Sequence, residues 1–154
     1  MPKLELDTIP QVNRTGYPAP FDAAVGGRWY RRLAPAAGLT LFGVSHVVLK
    51  PGAWSSQRHW HKGEDEFLVL LSGEAVLVDD DGETALAPGD CCAFPAGDGN
   101  GHHLQNRSGA DCCFVVVGAG PEQGGDYSDI DMWFYADGAY RHNDGTPYPS
   151  RRVR

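Results

Sequence analysis

His59 and His61 stand two residues apart, Glu66 follows five later, and His102 lies far downstream. Side chains alternate between the two faces of a strand, so both imidazoles of the first pair point to one side. Glu66 has the wrong parity for a single continuous strand. The intervening Lys62-Gly63-Glu64-Asp65 reads as a turn, however, and a reversing chain lets Glu66 open the facing strand on that same side. Two imidazoles and a carboxylate delivered by one hairpin form a facial set that holds a divalent metal with further positions open. His102 opens another strand, and Asn106, four residues on, shares its parity. A closed barrel would bring His102 opposite the hairpin as a fourth ligand, with His103 as its competitor.

The remaining reactive residue types carry weaker signals. His46 is alone on an apolar strand and reads as a hydrogen-bonded structural histidine. His142 sits in a polar tail and takes no role. Cysteine occurs as two vicinal pairs, Cys91-Cys92 and Cys112-Cys113. Their even number would permit disulfides in a secreted protein; in a cytoplasmic one they read as reduced, small core residues. A low-pKa thiolate needs a cationic neighbour, and none is in view.

The elements that must position these residues are short strands. Arg28 to Leu33 and Leu39 to Lys50 are strand candidates, and Pro51-Gly52 closes the second. Ser55 to His61, Glu66 to Leu71, Glu74 to Val78, Thr84 to Ala87 and Asp90 to Phe94 follow, each ended by a turn signal such as Asp79-Asp80-Asp81-Gly82 or Pro88-Gly89. A glycine-rich loop covers Pro95 to Gly101, and His102 to Asn106 and Asp111 to Gly118 are the last strands. No segment keeps a helical apolar period over helical length, and strands at this spacing specify a small barrel or sandwich. The core spans about 39–118, preceded by a Pro- and Gly-rich arm (1–38) and followed by a segment (119–154) dense in aromatics. That segment is expected to fold back over the barrel or into a partner subunit.

With 154 residues, 20 glycines and 11 prolines, the chain suits one domain with many turns. The formal charge of −7 argues against a nucleic-acid partner. The basic run Arg151-Arg152-Val153-Arg154 is a tail rather than a binding face. No stretch approaches a bilayer-spanning length and no apolar leader opens the chain, so no membrane partner and a cytoplasmic location are expected.

Two spaced motifs carry a family resemblance. Gly52, six residues, His59-Trp60-His61, four residues, Glu66, six residues and Gly73 form the first. Gly89, five residues, Pro95-Ala96-Gly97, four residues, His102 and then Asn106 form the second. The pattern resembles the cupin superfamily, with one extra residue after Gly52 and a slightly expanded loop at Asp98 to Gly101. The resemblance implies an all-β double-stranded β-helix, or jelly roll, holding one divalent transition metal (Fe, Mn, Ni, Co or Zn) through His59, His61, Glu66 and His102. Its spacing to Gly73 selects Glu66 over Glu64, which is left solvated in the turn. The spacing to Asn106 selects His102 over His103, which should point outward.

Parity then places Ser55 and Gln57 with His59, Leu68 and Leu70 with Glu66, and Leu104 and Asn106 with His102, lining a mostly apolar pocket for a small molecule. Asn106 reads as a structural hydrogen-bonder rather than a catalyst. No cluster of Arg and Lys suited to a phosphate enters that pocket, and Arg58 has the wrong parity. The chain most resembles the small single-domain cupins, some of which are labelled sugar-phosphate isomerases; one fold and one metal site serve many chemistries, so the label carries little weight. The expected function is a metal-dependent isomerase, lyase or dioxygenase acting on a small organic substrate, the alternative being a non-catalytic ligand-binding or sensor barrel. Cupins of this size commonly pair, and a homodimer joined through the aromatic tail is expected.

Overall fold

The structure is a computed structural model that describes residues 3–149. Twelve strands run β1 (Arg28–Arg32), β2 (Gly43–Leu49), β3 (His59–His61), β4 (Asp65–Ser72), β5 (Ala75–Asp79), β6 (Gly82–Leu86), β7 (Cys91–Phe94), β8 (His103–Gln105), β9 (Cys112–Ala119), β10 (Gly125–Tyr127), β11 (Trp133–Phe134) and β12 (Tyr140–Arg141). A single helical turn, α1 (Leu33–Ala36), interrupts them. Among the described residues no helix is long and apolar enough to cross a membrane. The tail Arg151 to Arg154 lies outside the described residues.

Three antiparallel sheets form: a five-stranded one in the order β1-β2-β9-β4-β7, a three-stranded one β6-β5-β8, and a four-stranded one β12-β11-β10-β3. Strand β9 lies between β2 and β4, pairing Val47 with Phe114 and Leu68 with Val116. This non-sequential order is that of a jelly roll. Alternation decides what is inside. Val47, Leu49, Leu68, Leu70, Cys112 and Phe114 face inward and meet Ala75, Leu86 and Leu104 of the three-stranded sheet in one core cluster. Leu49 and Leu70 are fully buried, each contributing about 1.5–3 kcal/mol by leaving water.

The turn after β4 needs glycine. Gly73 has φ +76°, and a Cβ there would stand 2.5 Å from the Asp111 carbonyl oxygen. Both the dihedral and the close backbone approach exclude a side chain.

Two strands are shorter than expected. β2 begins at Gly43 rather than Leu39, leaving Leu41 and Phe42 exposed, and β3 begins at His59 rather than Ser55. The aromatic tail folds back within the chain. β10 pairs with β3, and Tyr127 and Met132 join Tyr17 and Val25 of the N-terminal arm in a second buried cluster. Phe134, Tyr140 and Tyr148, partly buried, pack against it, so of the two expected paths the tail takes the one back over its own barrel.

Candidate metal centre

Strand β3 is held on two sides. β10 pairs Gly125 with His61 and Tyr127 with His59, while the His59 and His102 backbones exchange hydrogen bonds of 3.2 and 2.9 Å. His61 accepts a further bond at its carbonyl from the Gly97 N–H, at 2.8 Å. After the reversal at 62–65, Glu66 lies on β4 between Phe94 of β7 and Gly118 of β9. Each side chain is thus placed by sheet register rather than by a loop.

His59, His61 and Glu66 each offer one ligand atom, all within 4.8 Å of one another. His59 Nε2 and His61 Nε2 are 3.2 Å apart, His61 Nε2 and Glu66 Oε2 also 3.2 Å, and His102 Nε2 lies 3.5 Å from the same oxygen. Neighbouring ligands on an octahedral ion at ~2.1 Å stand roughly 3.0 Å apart, so these separations suit a shared cation. His102 is outside the compact trio but close to it. Its ring is 4% exposed and stacks on Phe94 at 3.4 Å. Neither ring nitrogen has a hydrogen-bond partner, a costly condition for a buried imidazole that metal ligation would relieve.

The electrostatics favour the protonation states a metal needs. Burial pushes the His59 imidazole down to about 3, outweighing the Glu66 carboxylate. The 3.0 Å contact between His59 Nδ1 and the Gln57 carbonyl places the ring hydrogen on Nδ1 and leaves Nε2 as the free lone pair. Burial alone would raise Glu66, yet its His102 and His61 neighbours hold it well below the usual carboxylate range. For His61, burial pushes down and Glu66 pulls up more strongly, leaving it raised.

The ligands open onto a cavity of about 260 Å³ whose wall includes His59, Glu66 and His102. Ser55, Leu68 and Leu104 line it as parity requires. Gln57, Leu70 and Asn106 do not, each for a physical reason. The chain from Ser55 to Arg58 is not extended, so Gln57 turns away and its side-chain amide donates to the Phe21 carbonyl at 2.8 Å. Leu70 keeps the correct face but is sealed in the core. Asn106 is buried among backbone groups, donating to the Leu49 and Ala110 carbonyls.

His103 also departs from expectation. It is 4% exposed and lines the cavity rather than pointing outward. Trp54 packs edge-on at 4.7 Å, and His103 Nδ1 bonds the Ser56 carbonyl at 3.0 Å. The irregular segment before β3 covers that side of β8.

Glu64 is half-buried over Gly118 rather than solvated, and burial raises its carboxyl. His46 Nε2 approaches Cys113 Sγ at 3.0 Å, and His142 bonds Asp131 at 2.8 Å. All four cysteines are free. Cys92 and Cys112 are buried, whereas Cys91 is exposed. Arg58 faces away from the cavity wall and pairs with Asp129 and Asp80.

Sequence reasoning missed Arg28 and Tyr30, whose inward parity on β1 puts both on the cavity wall. It also missed the aromatic cover from the tail: Phe134 lies 5.2 Å from the His61 ring and Tyr127 5.7 Å from His59. The signal for β1 was the alternation Arg28-Trp29-Tyr30-Arg31, with Arg28 and Tyr30 on one face.

Comparison with known proteins agrees with this architecture. Residues 45–118 match the Cupin domain family. A sugar phosphate isomerase from a cupin superfamily, of Silicibacter pomeroyi DSS-3, is 46% identical over 99% of this chain and 100% of its own, with a TM-score of 0.90. A protein of Acidithiobacillus ferrooxidans ATCC 23270 given that activity provisionally is 28% identical over 75% of this chain and 76% of its own, at 0.69. The polyketide cyclase RemF of Streptomyces resistomycificus shares the fold, at 20% identity over 84% of this chain and 87% of its own and a TM-score of 0.68. None of the curated proteins compared matches. The chain belongs to the cupin superfamily.

Proposed function

We propose that this chain is a metal-dependent enzyme acting on a small organic substrate inside the barrel, with His59, His61, Glu66 and His102 holding the ion. The observation that carries this reading is the convergence of three ligand atoms within 4.8 Å beside the buried His102 imidazole, whose nitrogens have no hydrogen-bond partner and whose Nε2 lies 3.5 Å from the Glu66 carboxylate. The activity named for the Silicibacter pomeroyi relative supports catalysis over passive binding.

A divalent ion at this point supplies a Lewis acid for isomerisation or lysis, or with iron a place for dioxygen beside the substrate. The chain's own residues define the rest. His59 presents Nε2 because Gln57 fixes its Nδ1 hydrogen. Glu66 stays ionised against its own burial. Phe94 fixes the His102 ring by stacking.

A substrate screen on metal-loaded protein, covering isomerisation, lysis and oxygen uptake, tests this. Turnover that His61→Ala abolishes is the expected result. Ligand-induced stabilisation without any turnover would instead favour the non-catalytic barrel.

A further inference from the structure

The cavity carries one charge that the metal reading does not use. Among the described residues Arg28 is the sole lysine or arginine on its wall. It enters from β1, opposite Leu49 at the end of that strand pair. Its guanidinium donates to two neutral carbonyls, Ser55 O at 2.8 Å and Arg14 O at 3.3 Å. It takes part in none of the ion pairs among the described residues. Its Nε is buried and has no hydrogen-bond partner. A cation set into a partly buried wall without a counter-charge is unfavourable, and an anionic ligand group is what completes it.

Apart from the Ser45 and Ser56 hydroxyls, the other polar groups of the wall outside the metal site are largely engaged. Tyr30 Oη donates to the Arg14 carbonyl, and Ser55 Oγ accepts from the Leu104 N–H. His103 bonds the Ser56 carbonyl through Nδ1 and Gln105 through Nε2. Much of the remaining surface is Val47, Leu68, Phe94, Leu104, Phe114 and Val116. These side chains offer a ligand contact area and no hydrogen bonds.

We propose that Arg28 anchors the carboxylate of a small organic acid whose apolar body lies against this wall, and that such acids, rather than phosphorylated sugars, are the substrates; this rests on the proposed metal function for what the other end of the acid meets. A planar guanidinium matches a carboxylate with paired N–H donors. A phosphate dianion calls for more charge than one guanidinium, or for a helix N-terminus, and α1 does not reach the wall. A sugar's hydroxyls would fare worse. Each one buried against the six apolar side chains without a partner costs about 1–3 kcal/mol. The volume of about 260 Å³ holds roughly nine waters at ~30 Å³ each, enough for a short acid.

Titration calorimetry on the full chain, with metal content measured on the same batches, tests the anchor. The probes are 4-methyl-2-oxopentanoate, its uncharged analogue 4-methyl-2-pentanone, and ribose 5-phosphate. The acid is expected to bind wild-type protein at least tenfold more tightly than either of the others. Arg28→Gln is expected to weaken acid binding at least tenfold with metal content unchanged, while Arg28→Lys, which keeps the charge, loses less. Should Arg28→Gln fail to fold, Arg28→Lys and the acid-to-ketone comparison repeated on wild-type protein stripped of metal carry the test, because a metal in the same cavity would itself prefer the acid. Ribose 5-phosphate binding as tightly as the acid, no measurable acid binding, or equal acid binding by Arg28→Gln would each overturn the anchor. Metal at one per chain with no charge discrimination overturns the anchor alone. Discrimination by Arg28 in protein that holds no metal leaves the anchor standing and removes the metal function.

Discussion

Removing the Asn106 side chain should unfold the barrel sooner without emptying the site. Asn106 is 1% exposed, and its amide makes four hydrogen bonds. Nδ2 donates to the Leu49 and Ala110 carbonyls at 2.8 Å each; Oδ1 accepts from the Ser108 N–H at 3.0 Å and the Ser108 hydroxyl at 2.8 Å. At about 1 kcal/mol net apiece these sum to about 4 kcal/mol, and Asn106→Ala also strands the buried Leu49 carbonyl. In a chain of 154 residues that loss lowers Tm by about 8–16 °C. Thermal melts by circular dichroism, with metal content and turnover per folded molecule on the same samples, make the assay. A large fall in Tm with metal retained is expected, because Asn106 is not on the cavity wall. A fall below about 3 °C, or lost turnover at an unchanged Tm, would refute this reasoning.

Three further outcomes follow from the same structure. Gly73→Ala should cost several kcal/mol of unfolding free energy in urea titrations, since its Cβ would meet the Asp111 carbonyl at 2.5 Å, whereas Gly109→Ala, with open space around it, should shift stability by less than ~0.5 kcal/mol. Acidifying metal-free protein should destabilise it. His59, depressed to about 3, must take up a proton on unfolding, so its contribution is present above the ordinary histidine pKa and is lost as pH falls toward 3. Between pH 7 and 5 this amounts to about 2 kcal/mol; His46 and His103, also lowered by burial, act in the same sense, while His61, Glu64 and Asp126, which are raised, oppose them. Urea midpoints that rise on acidification would contradict it. Iodoacetamide at pH 8 should label exposed Cys91 well before Cys112, whose thiol burial pushes up to about 11, as mass spectrometry of timed samples would show.

The strand framework and the shared face of His59 and His61 were legible because they rest on alternation inside a regular segment, whereas Glu66 and His102 depend on motif spacing. His59 and His61 share a face of β3, and Glu66, Leu68 and Leu70 share one of β4. The same rule failed at Gln57, where the chain from Ser55 to Arg58 bends and parity loses its meaning. It failed at His103 for another reason: the covering Trp54 arrives from a segment whose path alternation does not specify. Arg28 was within reach of the rule, since β1 is regular, but nothing local says that β1 closes the cavity beside β2. The tail's return was anticipated in outline from its aromatics. That β10 pairs with the strand bearing His59 and His61 depends on long-range sheet order, which no local pattern encodes.

The most direct test of the central claim is elemental analysis of protein purified without chelators, run beside His59→Ala, His61→Ala, Glu66→Gln and His102→Ala. About one divalent transition metal per wild-type chain, lost or sharply reduced in each variant, is the expected result. Wild-type protein without metal, or variants that keep the full complement, would contradict it.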